Sequence, residues 1–555
     1  MGQFAVFHPR VFGVLQKPIF QVLCVYIEKN LKERKNIFLS SQSKNDPHFD
    51  ENKEEMMKKI HPKNLENRFL KLRENPLTPS FWRAPKTDFP SSLGIGIRLL
   101  LFVHCLLIST SLSAHKVVPI VDVEKARTHQ CILTHPELMW LTNTKERNTS
   151  EEALPPQDSQ QILGQKFVEL DRTLTAIYCL QLILDGSDKA YQEFSQKQSK
   201  EAMLSQKSFQ ELHMQGKKLL QSKWRGISES EMALAMEAAL VLGDLGKTEK
   251  AREVFQRFGI DLPDHDDFYE AMMQVLAKQP ELCPSFFHLP KEAKSLLLKS
   301  ANLAHYGHIS HLEGGASMLE KLRASRIPST DPTLLDFDLF IHACDVAGAL
   351  GHKHNKSSLV YTENVHKSLA EMRKALSLLS DPNTSSQKAY YTYLAVRASW
   401  LGLNPEIAKD RTLTRIGAML RLFTPEEGAL LKKAMSSFSL NEQEKIIAIL
   451  DPQKENPKLR TPTYMPALLV ALFQNPSLGK TKEERLHQAI FLGIPFICKG
   501  LQMQKELISD RLADPNIPLN FNLIAHIVQS APHLLQQECR IAQDGTVHLA
   551  KEPLK

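Results

Sequence analysis

Imidazole side chains are concentrated in one short stretch of the sequence. Residues 301–315 read ANLAHYGHISHLEGG and contain His305, His308 and His311, followed by Glu313 and two glycines. On an α-helix, His305 and His308 lie about 60° apart around the axis, and so do His308 and His311. Two of the three rings can therefore face a common centre. Imidazole nitrogens are common ligands of divalent transition metals.

A second polar pair follows about thirty residues later. Residues 336–354 read DFDLFIHACDVAGALGHKH, in which His342 and Asp345 are three positions apart and share one helix face. The small residues between and after them allow a second helix or a ligand to approach closely. An imidazole and a carboxylate in such a groove could hold a divalent ion, and a bound ion would lower the pKa of its water to give a nucleophile at neutral pH.

Together the two stretches resemble the HD-domain metal-dependent phosphohydrolases over about residues 290–400. That all-helical superfamily places a histidine on one helix, a His-Asp pair on a following helix and a further aspartate downstream, around one or two metals. By this resemblance His305 or His308 is the first metal ligand, and His342 and Asp345 take the place of the pair. Glu313 is then the candidate catalytic residue, as general base or as support for the ligands.

The sequence departs from the family pattern in two ways. The family's His-Asp pair is adjacent, whereas Ala343 and Cys344 separate the two residues here, and the downstream acid has only Asp381 and Asp410 as candidates. If the resemblance holds, it implies a divalent cofactor (Mn, Fe, Mg or Zn) and a small phosphoester or nucleotide substrate. A shared ion requires a ring nitrogen of His305 or His308 within about 5 Å of His342 and Asp345.

The same residues allow a structural interpretation. A histidine on an apolar helix face is often a core residue, and an Ala/Gly-rich helix can simply be one side of a tight helix crossing. On this interpretation the alternative function is a non-enzymatic, all-helical interaction module, exported or not, that binds a protein partner.

Composition and periodicity predict the elements that position these residues. Hydrophobic residues make up 42% and charged residues 24% of the 555 residues, with 23 glycines, which favours a soluble, helical protein. Apolar residues recur every three or four positions from about Gln160 onward. Helices are predicted at Asp267–Lys278, Lys291–Tyr306, Thr333–Leu350, Glu363–Leu379, Ser386–Leu401, Thr414–Leu422, Pro425–Ser436, Asn441–Leu450, Tyr464–Gln474, Lys482–Leu507 and Leu523–Gln529.

The predicted fold class is therefore all-α, a multi-helix bundle. Ser228 and Glu231 form a predicted capping box at the start of one helix. Only the tail CRIAQDGTVHLA alternates like strands around Asp544-Gly545, so a short C-terminal β-hairpin is expected. We expect two helical units, 115–284 and a histidine-rich 285–555.

The first 114 residues read as a separate leader. Residues 1–92 contain 16 basic and 10 acidic side chains, a net charge of +6, whereas the remaining 463 contain 53 and 52, a net charge of +1. A near-neutral body gives no support for binding a nucleic-acid polymer. The eight cysteines form no C-x-x-C pair, which argues against a zinc ribbon.

Residues 93–114, LGIGIRLLLFVHCLLISTSLSA, have the pattern of a secretory signal peptide, although they do not start the chain. Three explanations stay open: a true start downstream of residue 1, which makes 1–92 spurious; an internal membrane anchor; or a buried helix. The protein is exported or membrane-anchored if this segment acts as a signal, and cytoplasmic otherwise. A membrane is expected as a partner only through 93–114.

Overall fold

Helices account for most of the chain that the structure describes. The computed structural model describes residues 120–143, 158–260, 267–303, 306–456 and 459–550. The predictions for 1–92, for 93–114 and for His305 lie outside the described residues. Among the described residues, no helix is long and apolar enough to cross a membrane.

The helices of the first half run from α1 to α13 in chain order. They are α1 Ile120–Thr134, α2 Asp158–Leu163, α3 Val168–Asp185, α4 Asp188–Ser195, α5 Gln206–Gln221, α6 Glu229–Gly243, α7 Glu249–Arg257, α8 Phe268–Lys278, α9 Pro284–Phe287, α10 Lys291–Ser300, α11 Glu320–Ser325, α12 Ile327–Thr330 and α13 Pro332–Gly348.

The second half contains the remaining helices and the two strands. They are α14 Glu363–Ser377, α15 Ser386–Trp400, α16 Ala408–Met419, α17 Pro425–Met435, α18 Leu440–Leu450, α19 Met465–Gln474, α20 Lys482–Ser509, α21 Asn522–Ser530, β1 Cys539–Ile541 and β2 Val547–Leu549. The strands pair antiparallel, with Arg540 opposite His548. The all-α fold with a C-terminal hairpin is confirmed.

Side-chain caps explain where several helices begin. In each of four helices a Ser or Thr side chain accepts a hydrogen bond from the third backbone N–H, and the Glu at that position bonds back to the capping residue. The four pairs are Ser228 with Glu231, Thr424 with Glu427, Ser439 with Glu442 and Thr481 with Glu484. The capping box predicted at Ser228 is therefore confirmed.

The histidine-rich segment differs from its prediction. Helix α10 ends at Ser300 rather than at Tyr306, and Tyr306–His311 forms a 3₁₀ helix. Because a 3₁₀ helix has three residues per turn, His308 and His311 lie on the same side rather than about 60° apart. Distant side chains hold this segment: Tyr393 donates to the carbonyl of Ser310, at 2.8 Å. Such contacts cannot be read from local sequence.

Buried apolar side chains form two clusters. The first runs from Leu138 to Leu394 and also includes Ala418, and the second runs from Ala398 to Leu549. The clusters divide within α15. Residue 284, at which the sequence predicts a boundary between two units, lies within the span of the first cluster.

The small residues of α13 and the turn after it lie against α3. A Cβ added to Gly348 would be 2.6 Å from the Ala176 Cβ, and one added to Gly351 would be 2.3 Å from the Thr175 Oγ1. Only glycine permits this close approach of two backbones. The tight helix crossing considered from the sequence is therefore present on this face of α13, and the groove next to Gly348 is filled by protein.

Candidate functional site

His342 and Asp345 of α13 line the same cleft. The cleft has a volume of about 200 Å³, and its walls come from α6, α8, α10 and α13. The Asp345 side chain is exposed to solvent and His342 is half-buried. The shared face expected from their spacing is thus present. Further polar lining groups are Tyr269, Ser300 and Asp338.

A network of opposite charges lies beside Asp345. The Arg172 Nη1 is 2.6 Å from the Glu169 Oε1, and the Lys247 Nζ is 3.2 Å from the Glu169 Oε2 and 2.7 Å from the Asp244 Oδ1. Burial by the surrounding protein raises the pKa of Asp345 to about 6, and the negative charge of Asp244 adds to this. Arg172 and Lys247 oppose the rise. Although Asp345 lines the open cleft, the protein packed around its carboxylate and the charge of Asp244 make it a stronger base than an ordinary carboxylate.

Glu313 is occupied by two contacts. Its Oε2 is 2.6 Å from the His308 Nδ1, and its Oε1 accepts a hydrogen bond from the backbone N–H of Met465, at 2.9 Å. The side chain is 4% exposed. Glu313 therefore orients the His308 ring and joins the histidine segment to the start of α19. Its assignment as a general base stays a prediction.

The histidine segment touches α13 at His342. A Cβ added to Gly307 would lie 2.7 Å from the His342 Cε1, so the absence of a side chain lets the imidazole pack against the segment. Burial lowers the pKa of His311, and the neighbouring charges of Arg421, Arg397, His308 and His342 lower it further. A neutral ring at His311 is thus favoured at neutral pH.

The predicted metal ligands are only partly brought together. His342 and Asp345 share the cleft, His308 pairs with Glu313, and His305 lies outside the described residues. No three His, Cys, Asp or Glu side chains of the described ranges are grouped so that they could hold a metal ion. These residues alone do not fit a metal centre, so no step of the chemistry below depends on one.

The structure also contains a second group of polar side chains in contact, which the sequence analysis did not predict. The His135 Nδ1 is 2.6 Å from the Ser285 Oγ, and its Nε2 is 3.5 Å from the Glu237 Oε2. The three residues are far apart along the chain, so no motif spacing could reveal them. Ser285 and His135 are buried. The arrangement resembles a nucleophile–base–acid triad in its order of contacts, but its hydroxyl is enclosed. We interpret it as a link between the residue that follows α1 and helices α6 and α9.

The fold and the cleft define an all-helical protein with a solvent-open group of titratable side chains. The chain belongs to a family of unknown function, DUF6829, which it matches over residues 134–531. That span includes every described residue of the cleft. A search of curated proteins found no match, and a search of solved structures found none either.

Proposed function

We propose that the protein is a hydrolase that acts on a small phosphoester in the cleft of His342 and Asp345. The observation that supports the proposal is that an imidazole and a carboxylate, one helical turn apart, line one solvent-open cleft. A base for the attacking water and an acid for the leaving oxygen are the two proton-transfer groups that phosphoester hydrolysis uses.

Asp345 and His342 suit different roles in proton transfer. Asp345, with a pKa raised to about 6, is mostly ionised at neutral pH and can accept a proton from water. His342, when protonated, can donate a proton to the oxygen of the leaving group. The hydroxyl groups of Tyr269 and Ser300 lie on the same lining and can orient a polar substrate. A cleft of about 200 Å³ suits a substrate of few atoms.

Metal dependence is a separate part of the proposal. A divalent ion (Mn, Fe, Mg or Zn) would need a third ligand beside His342 and Asp345, for which His305 and His308 are the sequence candidates. Such an ion would supply a bound water of lowered pKa. Elemental analysis of the purified full-length chain, before and after chelation, tests this part independently of activity.

The activity test is a screen of phosphomonoesters and phosphodiesters with the full-length chain, in chelator and with each of the four metals added. We expect H342A and D345N each to lower kcat/KM at least about 100-fold, the usual scale of a lost acid or base. The matched controls are H526A and D510N, which change exposed residues outside the cleft and should keep wild-type activity. Circular dichroism confirms that each variant is folded.

A folded wild-type chain with no hydrolysis under any condition would contradict the proposal. Equal losses in H342A and H526A would contradict the assignment of the cleft. The non-enzymatic interaction module, with a protein partner, would then be the better interpretation of the helical body.

The charge network predicts a specific pH dependence. Activity should rise through about pH 6 as Asp345 ionises, and it should fall again at higher pH as His342 loses the proton that it donates. Lys247 favours the ionised form, so K247M should raise the pKa of Asp345 and move the acid limb of kcat/KM to higher pH. K247R keeps the charge and should leave the limb in place. An unchanged limb in K247M would show that Asp345 is not the titrating base.

A further inference from the structure

A second cavity, of about 410 Å³, lies among α16, α19 and α20. It is lined by the residues that follow α16, by the last turns of α19 and by the first turn of α20. Its lining residues are Leu420, Arg421, Val470, Phe473, Gln474, Lys482 and Arg485. Three of these are cations and none is an acid, so the lining carries a positive charge.

The three cations differ in how they are engaged. The Lys482 Nζ pairs with the Glu427 Oε1, and the Arg485 Nη1 donates to the carbonyls of Gly479 and Lys480. Arg421 forms no ion pair or side-chain hydrogen bond with the described residues. Surrounding protein lowers the pKa of Arg421. Its guanidinium therefore presents unused donors to an anion.

The backbone at Arg421 is also unusual. Its φ is +58°, a left-handed conformation at the end of α16 where glycine is the common residue. For other residues this conformation costs about 1–2 kcal/mol. The chain nevertheless places an arginine there, and its side chain lines the cavity.

The remaining lining is partly apolar. Val470 and Phe473 are half-buried, and Leu420 is buried. An anion that carries an apolar or aromatic group would meet both cations and apolar side chains in this cavity. Planar, bidentate recognition of phosphate is the contact that arginine makes best.

We propose that this cavity binds a small organic phosphate whose phosphate group is held by Arg421 and Arg485 and whose apolar part contacts Phe473 and Val470. The site is distinct from the His342 and Asp345 cleft and does not depend on the proposed hydrolysis. It would let the protein respond to a phosphorylated metabolite, or hold one, away from the reacting groups.

The test is calorimetric titration of the full-length chain with phenylphosphonate, whose P–C bond resists hydrolysis, and with methylphosphonate. We expect phenylphosphonate to bind more tightly, and R421Q to weaken its binding at least about tenfold, the effect of losing a charged hydrogen bond. R421K should retain an intermediate affinity. H342A and D345N should bind as wild type does.

Three outcomes would overturn the proposal. The first is that the wild type does not bind the phosphonate, and the second is that a folded R421Q binds it with wild-type affinity. The third is that H342A loses binding while R421Q keeps it, because the phosphonate would then occupy the other cleft. None of these outcomes depends on whether the protein hydrolyses phosphoesters, so the two proposals fail separately.

Discussion

Replacing Asp451 with alanine should lower the free energy of unfolding by about 3–5 kcal/mol. The Arg411 Nε and Nη2 donate to the two oxygens of Asp451 at 3.0 and 2.9 Å, and the side chains of the pair are 8% and 1% exposed. Arg411 Nη1 also donates to the carbonyls of Pro405 and Glu406. Without Asp451 the guanidinium stays enclosed with its charge uncompensated, and this accounts for most of the expected loss.

Urea denaturation followed by circular dichroism measures this loss. The control is E483A, which removes one member of the exposed pair of Lys433 and Glu483 and should change stability by less than about 1 kcal/mol. Adding R411M to D451A removes the orphaned charge and should recover part of the loss. If D451A costs no more than E483A, the pair is not the buried support that its geometry indicates.

Replacing Arg415 with methionine should lower the free energy of unfolding by about 2–4 kcal/mol. The Arg415 Nε donates to the carbonyl of Leu312 at 3.0 Å, Nη2 donates to that of Glu313, and Nη1 reaches that of Leu450 at 3.4 Å. Methionine keeps an apolar stem but leaves buried carbonyls without donors. The structure should be loosened most where the histidine segment contacts the second cluster.

Hydrogen exchange shows both where R415M destabilises the protein and by how much. In R415M the amides of residues 306–313 should exchange faster, while those of β1 and β2 should follow only the global loss of stability. R323M, at an exposed position, is the control and should change neither quantity. Lower stability with unchanged exchange at 306–313 would mean that Arg415 does not hold the segment.

Much of the fold could be predicted because its signals are local. Capping residues and apolar periodicity placed α15 at Ser386–Leu401, and it ends one residue earlier, at Trp400. Helix α16 shows where this reasoning fails. It begins at Ala408, not at the predicted Thr414, since polar residues of its first turns, including Arg411, are buried against distant partners and hide the apolar stripe.

The candidate site was predictable only where it lies on one helix. The spacing of His342 and Asp345 was sufficient to place them on a common face. The charges that raise the pKa of Asp345 come from α3 and from residues after α6, about 100 to 180 positions earlier in the chain. The cavity at Arg421 likewise combines three separate segments. Such convergence depends on tertiary packing, and no single stretch of sequence carries it.

Helix α15 has a consequence for how the body comes apart. Tyr390 and Leu394 belong to the first buried cluster, and Ala398, one turn later, belongs to the second. Unfolding of the second cluster would unwind helix α15. The buried side chains of the first cluster that pack on α15 would then become exposed to water. The two clusters should therefore unfold together. Proteolysis near residue 395 would release two fragments, each without some of the buried side chains that complete its hydrophobic core.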